Sequence, residues 1–136
     1  MRHVSVFSRV MLVTGSIAWA AIAVAAQGKS DAKSLKNPAK TTPKSIADGK
    51  DVFQKYCKFC HGEDAKGDGP MAPQGSHPPN LIDDTWAYGS TDGEIFSIIR
   101  NGSPKEKSEM KPFKSKLTDA EMWNVVNYLR SLAQKP

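Results

Sequence analysis

Two cysteines in 136 residues, both inside one five-residue stretch, leave this chain without the disulfide framework that staples many small exported domains. Zinc is equally short of partners. Beyond the histidine beside those cysteines only His3 and His77 remain, and neither sits at finger-like spacing. No run alternates apolar and polar residues in the manner of a strand, so the βαβ setting of a thioredoxin-like pair is missing. The carboxylates Glu63, Asp64 and Asp68 miss the pattern of a calcium-binding loop and read as a solvated turn. Positive charge is also scarce where it would matter. The chain carries +5, but Arg2 and Arg9 lie in the first segment and five lysines against one aspartate lie between 27 and 44, leaving −1 for the remainder. That balance gives no basic domain for nucleic acid.

What is present begins with an export signal. Arg2 and Arg9 precede an uncharged apolar run of 17 residues, Val10 to Ala26, ending in the small residues Ala23-Val24-Ala25-Ala26. Residues 1–26 therefore read as a signal peptide, or as an uncleaved anchor if cleavage fails. Either way the remainder lies outside the cytoplasm. Residues 27–44 hold Lys29, Lys33, Lys36, Lys40 and Lys44 with Pro38 and Pro43, the composition of a flexible spacer or a basic tether toward a membrane surface.

Residues 45–136 are enough for one small domain, and their signals are helical. Ser45 is the expected N-cap of a helix carrying Ile46, Gly49, Val52, Phe53 and Tyr56. Thr91 with Glu94 predicts a capping box ahead of Ile95, Phe96, Ile98 and Ile99, with a stop at Asn101-Gly102. Thr118 with Glu121 predicts a third, whose apolar stripe is Met122, Val125, Val126, Leu129 and Leu132, with Leu117 and Met122 as its staple. Glycines and prolines from Gly62 to Pro73 mark a long loop, and His77-Pro78-Pro79 a second turn-rich stretch. So small a chain buries a modest core, which a large covalent cofactor would complete.

The cysteines themselves stand in Cys57-Lys58-Phe59-Cys60-His61. Cys-x-x-Cys-His is the attachment sequence of a c-type haem. Each thiol can add to a vinyl group to give a thioether, and the next imidazole is placed under the iron. A bare disulfide is the simple alternative in an exported chain. With His61 as one axial ligand, the second axial place decides function. Met110 lies 49 residues after His61 in Met110-Lys111-Pro112-Phe113, far enough for the chain to return on the opposite face. Met122 fits a core filler, Met71 is too near His61 to cross, and His77 or an open site are the other options.

Taken in order, these residues resemble class I cytochromes c. They are most similar to the small bacterial monohaem domains grouped with the third subunit of cbb3-type oxidases. The marks are Gly49 and Phe53, Cys57 to Gly62, Gly67-Asp68-Gly69-Pro70, Pro79-Asn80-Leu81, Asp92 through Gly102, Met110 to Phe113, and Trp123 to Tyr128. The resemblance implies an all-α cytochrome c fold, three main helices and long loops around one haem c. It implies attachment through Cys57 and Cys60, and His61 and Met110 as axial ligands. It further implies that the Pro79 carbonyl accepts a hydrogen bond from His61, and that Gly49 and Phe53 pack on Val125 and Tyr128. Lys111 departs from the pattern, since many relatives have proline directly after the methionine. The expected function is one-electron transfer in the periplasm by a monohaem carrier, without substrate chemistry, with a haem domain anchored as a subunit of a larger redox complex as the alternative. An open-site haem enzyme or sensor is the remaining class. Expected partners are a dehydrogenase, a bc1-type complex or a terminal oxidase, docking through charges such as Lys58, Lys66 and Lys111.

Overall fold

The first helix starts earlier than Ser45. In the computed structural model, which describes residues 31–133 apart from 74, 76, 84, 85, 87 and 104–109, α1 runs Pro43–Tyr56. Thr42 is its N-cap: its side chain accepts from the Ser45 N–H while Ser45 Oγ accepts from the Thr42 N–H. Pro43 occupies the first helical position, where its fixed φ fits and its missing N–H costs nothing. Ser45 therefore closes the capping box from inside the helix. The signal or anchor read at residues 1–26, with 27–30 of the spacer, lies outside the described residues.

A single turn, α2 (Lys58–His61), follows α1 directly. The Thr91 and Thr118 readings hold in full. α3 spans Asp92–Asn101 between the Thr91–Glu94 capping box and Gly102, whose positive φ of 78° suits glycine and whose N–H bonds the Ile98 carbonyl. α4 spans Asp119–Ala133, entered through the reciprocal Thr118–Glu121 bonds at 2.8 and 3.2 Å. Among the described residues all regular structure is helical.

Packing follows from the stripes. α1 crosses α4 at Gly49, where a Cβ would run into the Asn124 carbonyl, so the helices meet backbone to backbone. Phe53 and Tyr128 pack beside the crossing as expected, their rings tilted by 57° with centroids 5.4 Å apart. α3 leans on α4 through Phe96 and Trp123, parallel rings 4.1 Å apart. At its far end Arg130 bonds Asp92 at 2.8 Å and reaches the Ser90 carbonyl, tying the last turn of α4 to the start of α3. Met122, Val125 and Val126 are fully buried, so Met122 is the filler its spacing suggested.

Of the lysine-rich spacer read at 27–44, residues 31–42 lie along the domain and Pro43 and Lys44 open α1. Asn127, buried in α4, accepts from Asn37 at 2.9 Å and from Thr41 at 3.2 Å. Its own amide donates to the Ala39 carbonyl and to Ser45 Oγ. A sealed side-chain amide needs such partners, and the polar spacer supplies them.

Candidate functional site

α2 brings three of the expected site residues together. Cys57, Cys60 and His61 lie within one turn, all partly buried, and the two thiols are unbridged. Cys60 Sγ lies 3.6 Å from the Met71 carbonyl.

The backbone of the motif is held from all sides. The Cys57 carbonyl accepts from the Cys60 and His61 amides at 3.2 and 3.0 Å, and that of Lys58 from Gly62 at 2.8 Å. The loop beyond then folds back. The amides of Met71, Gly69 and Gly67 bond the carbonyls of Phe59, Cys60 and His61 at 2.7, 3.2 and 2.7 Å. Glycine is required at two of these places. A Cβ at Gly69 would press on the Cys60 carbonyl group, 2.6 Å away, and Gly67 takes a φ of 83° against the Pro78 carbonyl. The carbonyl of every residue in the motif is thus satisfied, and the turn presents its side chains from a fixed frame.

The electrostatics suit neutral groups. Burial, with the neighbouring Cys60 adding to it, pushes the Cys57 thiol up to about 12. Such a group stays protonated, unlike the low-pKa thiolate of a redox pair or a zinc ligand. Burial alone pulls His61 down to about 4, leaving a neutral imidazole with a free lone pair, the form that binds metals. The His61 Nδ1 is sealed from water and has no hydrogen-bond partner among the described residues. The bond expected to the Pro79 carbonyl is therefore not made. The Pro78–Pro79 stretch instead packs against Gly67, and Leu81 anchors it by donating to the Ala65 carbonyl at 2.8 Å.

Met110 sits on a different segment, and its surroundings tie that segment to two places. At its base, Ser103 donates to the Met110 carbonyl at 3.3 Å and Phe113 to the Ile99 carbonyl at 3.1 Å, hanging the segment on the end of α3. Three residues further on, Phe113 meets Tyr56 edge to face at 6.4 Å, one residue before Cys57. Met110 is half-buried against the core. His77 and Met71 are exposed, Met71 at 67%. Residues missed by the sequence reading are Asn127 and the strap partners Asn37 and Thr41. A polar side chain beside an apolar helical stripe is the one signal that could have found Asn127.

Two unbridged cysteines, the Cys57 thiol kept protonated by its burial, beside a neutral imidazole on a locked turn, fit a haem c bound through thioethers and one nitrogen ligand. Comparison with known proteins agrees in kind. The family model described as cytochrome c oxidase, cbb3-type, subunit III, matches residues 44–129. The chain is similar to the cbb3-type cytochrome c oxidase subunit FixP of Sinorhizobium medicae. That match is 35% identical over 98 residues, 68% of this chain and 32% of that protein. It is also similar to the subunit CcoP of Rhodobacter capsulatus, 36% identical over 88 residues, 62% of this chain and 28% of the relative. The chain thus spans about a third of the length of these curated relatives. Among solved structures it is similar to cytochrome CL of Methylophaga aminisulfidivorans, with a TM-score of 0.55 and 26% identity over 88% of this chain and 69% of that one. It is also similar to a chain of the reducing HAO-like protein complex of Kuenenia stuttgartiensis, with a TM-score of 0.63 and 25% identity over 74% of this chain and 50% of that one.

Proposed function

The chain belongs to the family of cytochrome c oxidase, cbb3-type, subunit III, and we propose that it is the haem-bearing electron-transfer part of a larger redox assembly on the outer side of the cytoplasmic membrane. The observation that carries this reading is α2, with its unbridged thiols and neutral, buried imidazole on a fully bonded backbone. Haem c held there would supply one-electron exchange between Fe(III) and Fe(II). Cys57 and Cys60 would hold it covalently, and His61 and Met110 would ligate its iron. With both ligands supplied by the protein, no substrate would reach the metal, and the chain's task would be to pass electrons rather than to make bonds.

The descriptions of the relatives as oxidase subunits favour an assembly-bound domain over the freely diffusing periplasmic carrier. In this reading residues 1–26 direct export or remain as an anchor. The donor is a dehydrogenase or bc1-type complex, and a terminal oxidase takes the electrons. Among the described residues no helix is long and apolar enough to cross a membrane.

The test is expression in a host that attaches haem c, followed by denaturing mass analysis, spectra and fractionation. A mass gain of one haem that survives denaturation, with a weak far-red iron–sulfur band in the oxidised protein, is the expected result. Co-purification with other redox subunits supports the assembly. A monodisperse soluble monomer with no partner in the membrane fraction would restore the free carrier. Haem that washes away on denaturation would sink the attachment assignment.

A further inference from the structure

Residues 31–42 do more than touch Asn127. One helical turn over 31–34 brings the Ala32 and Leu35 carbonyls onto Gly93, where any Cβ would collide with both; the Leu35 carbonyl is 2.6 Å from that position. From there the segment follows the outer side of α3. A cavity of about 550 Å³ separates them, with Leu35 and Pro38 on one wall, Phe96, Arg100 and Trp123 on the other, and the Arg100–Asp119 pair at its edge. The segment therefore touches α3 at its first turn and, farther along, lines one cavity with Arg100 and Asn101 of its last turn. The last turn is also where the Met110 segment is attached, since Ile99 and Arg100 accept from Phe113 and Lys114 and Gly102 lies beneath Met110 and Pro112.

We propose that residues 31–42 are a releasable strap whose seating on Gly93 and Asn127 steadies the end of α3, so that lifting the strap loosens Met110. Whatever pulls on the chain ahead of residue 31 would then act on Met110 through α3. The strap is suited to release. It is held by side-chain bonds at its middle and by close backbone approach at Gly93, and Leu35 remains 43% exposed. The proposal rests on Met110 as an axial ligand, and its two halves are read separately.

The experiment uses the full haem-loaded chain and two variants. Gly93→Ala places a methyl where the strap carbonyls lie, in a helix that otherwise favours alanine. Asn37→Ala removes the strap's bond to Asn127 and the Ala39–Asn37 bond within the strap, and changes no residue of the core itself. Trypsin cutting after Lys33, Lys36 and Lys40 is followed by mass spectrometry, and imidazole is titrated against the far-red band of the oxidised protein. In Gly93→Ala we expect cutting to accelerate about tenfold, and imidazole to displace Met110 at about a third of the wild-type concentration, with Asn37→Ala in between. Unchanged cutting in both variants would overturn the strap. Faster cutting with identical imidazole titrations would overturn its link to Met110. A wild-type protein lacking the band would overturn the axial assignment and the link with it, while the cutting rates still decide the strap.

Discussion

Replacing Gly49 by alanine sets two effects against each other on one atom. Alanine is the better helix former, and in the interior of α1 it gains about 1 kcal/mol over glycine. The added methyl, however, falls on the Asn124 carbonyl and on Val125 N, 3.0 Å away, and these are backbone atoms of α4 that cannot rotate aside. The helices must part, and with them the Phe53–Tyr128 pair and the contact surface between α1 and α4. Overpacking of this kind costs roughly 3 kcal/mol, toward the upper end because no flexible side chain yields. The net loss is about 2 kcal/mol, which in a domain of this size lowers the midpoint of thermal unfolding by about 10 °C. Calorimetry or thermal circular dichroism of the haem-loaded protein reads it, with exposed Lys50→Ala on the same helix as the control for propensity. Gly49→Ala melting at or above the wild-type temperature would refute backbone-to-backbone contact at the crossing.

Met110→Leu keeps the volume and removes the sulfur. The oxidised protein should lose the far-red band, the reduced protein should gain saturable carbon monoxide binding, and the reduction potential should fall; an unchanged spectrum would dismiss Met110 as a ligand. Glu121 titrates below its ordinary value because the Thr118 amide, and then the Thr118 hydroxyl, bond its carboxylate, with Lys55 also favouring the charged form. Since the folded state holds this proton less tightly, the stabilisation is present above the ordinary value of 4.5 and is lost as pH falls through the lower folded value. Urea unfolding from about pH 2.5 to 7 should show Glu121→Gln less stable than wild type at neutral pH and equal to it at the acid end. A constant gap across that range would contradict the capping role.

Features written in local chemistry were legible in the sequence. The Thr91 and Thr118 caps need only a hydroxyl and a carboxylate three residues apart, and both helices start where those pairs stand. The site turn is equally local, since five consecutive residues fix its spacing. Thr42 and Ser45 show the limit. Both carry hydroxyls, and Pro43 reads as a breaker until its place as first helical residue is seen. The strap was hidden for a different reason. Its lysines and prolines have the composition of a spacer, and only a partner about 90 residues away, Asn127, gives that polarity a place to go. The absent His61–Pro79 bond is likewise a matter of how the Pro78 stretch packs on Gly67, which no spacing encodes.

Loops are ordinarily where chains gain and lose residues at little cost, and the stretch after His61 has the look of such a place. Its hydrogen bonds make it a counted segment instead. The amides of 67, 69 and 71 meet the carbonyls of 61, 60 and 59, two steps forward for each step back, with glycines seated where a side chain has no room. Deleting or inserting one residue would shift Lys66 or Asp68 into a glycine seat and leave the motif's carbonyls facing the wrong partners. In a set of homologous chains, length variation should therefore collect elsewhere, and the interval from His61 to Met71 should behave as a ruler. A graft of the five-residue motif into another helix-rich scaffold would have to carry these ten residues with it.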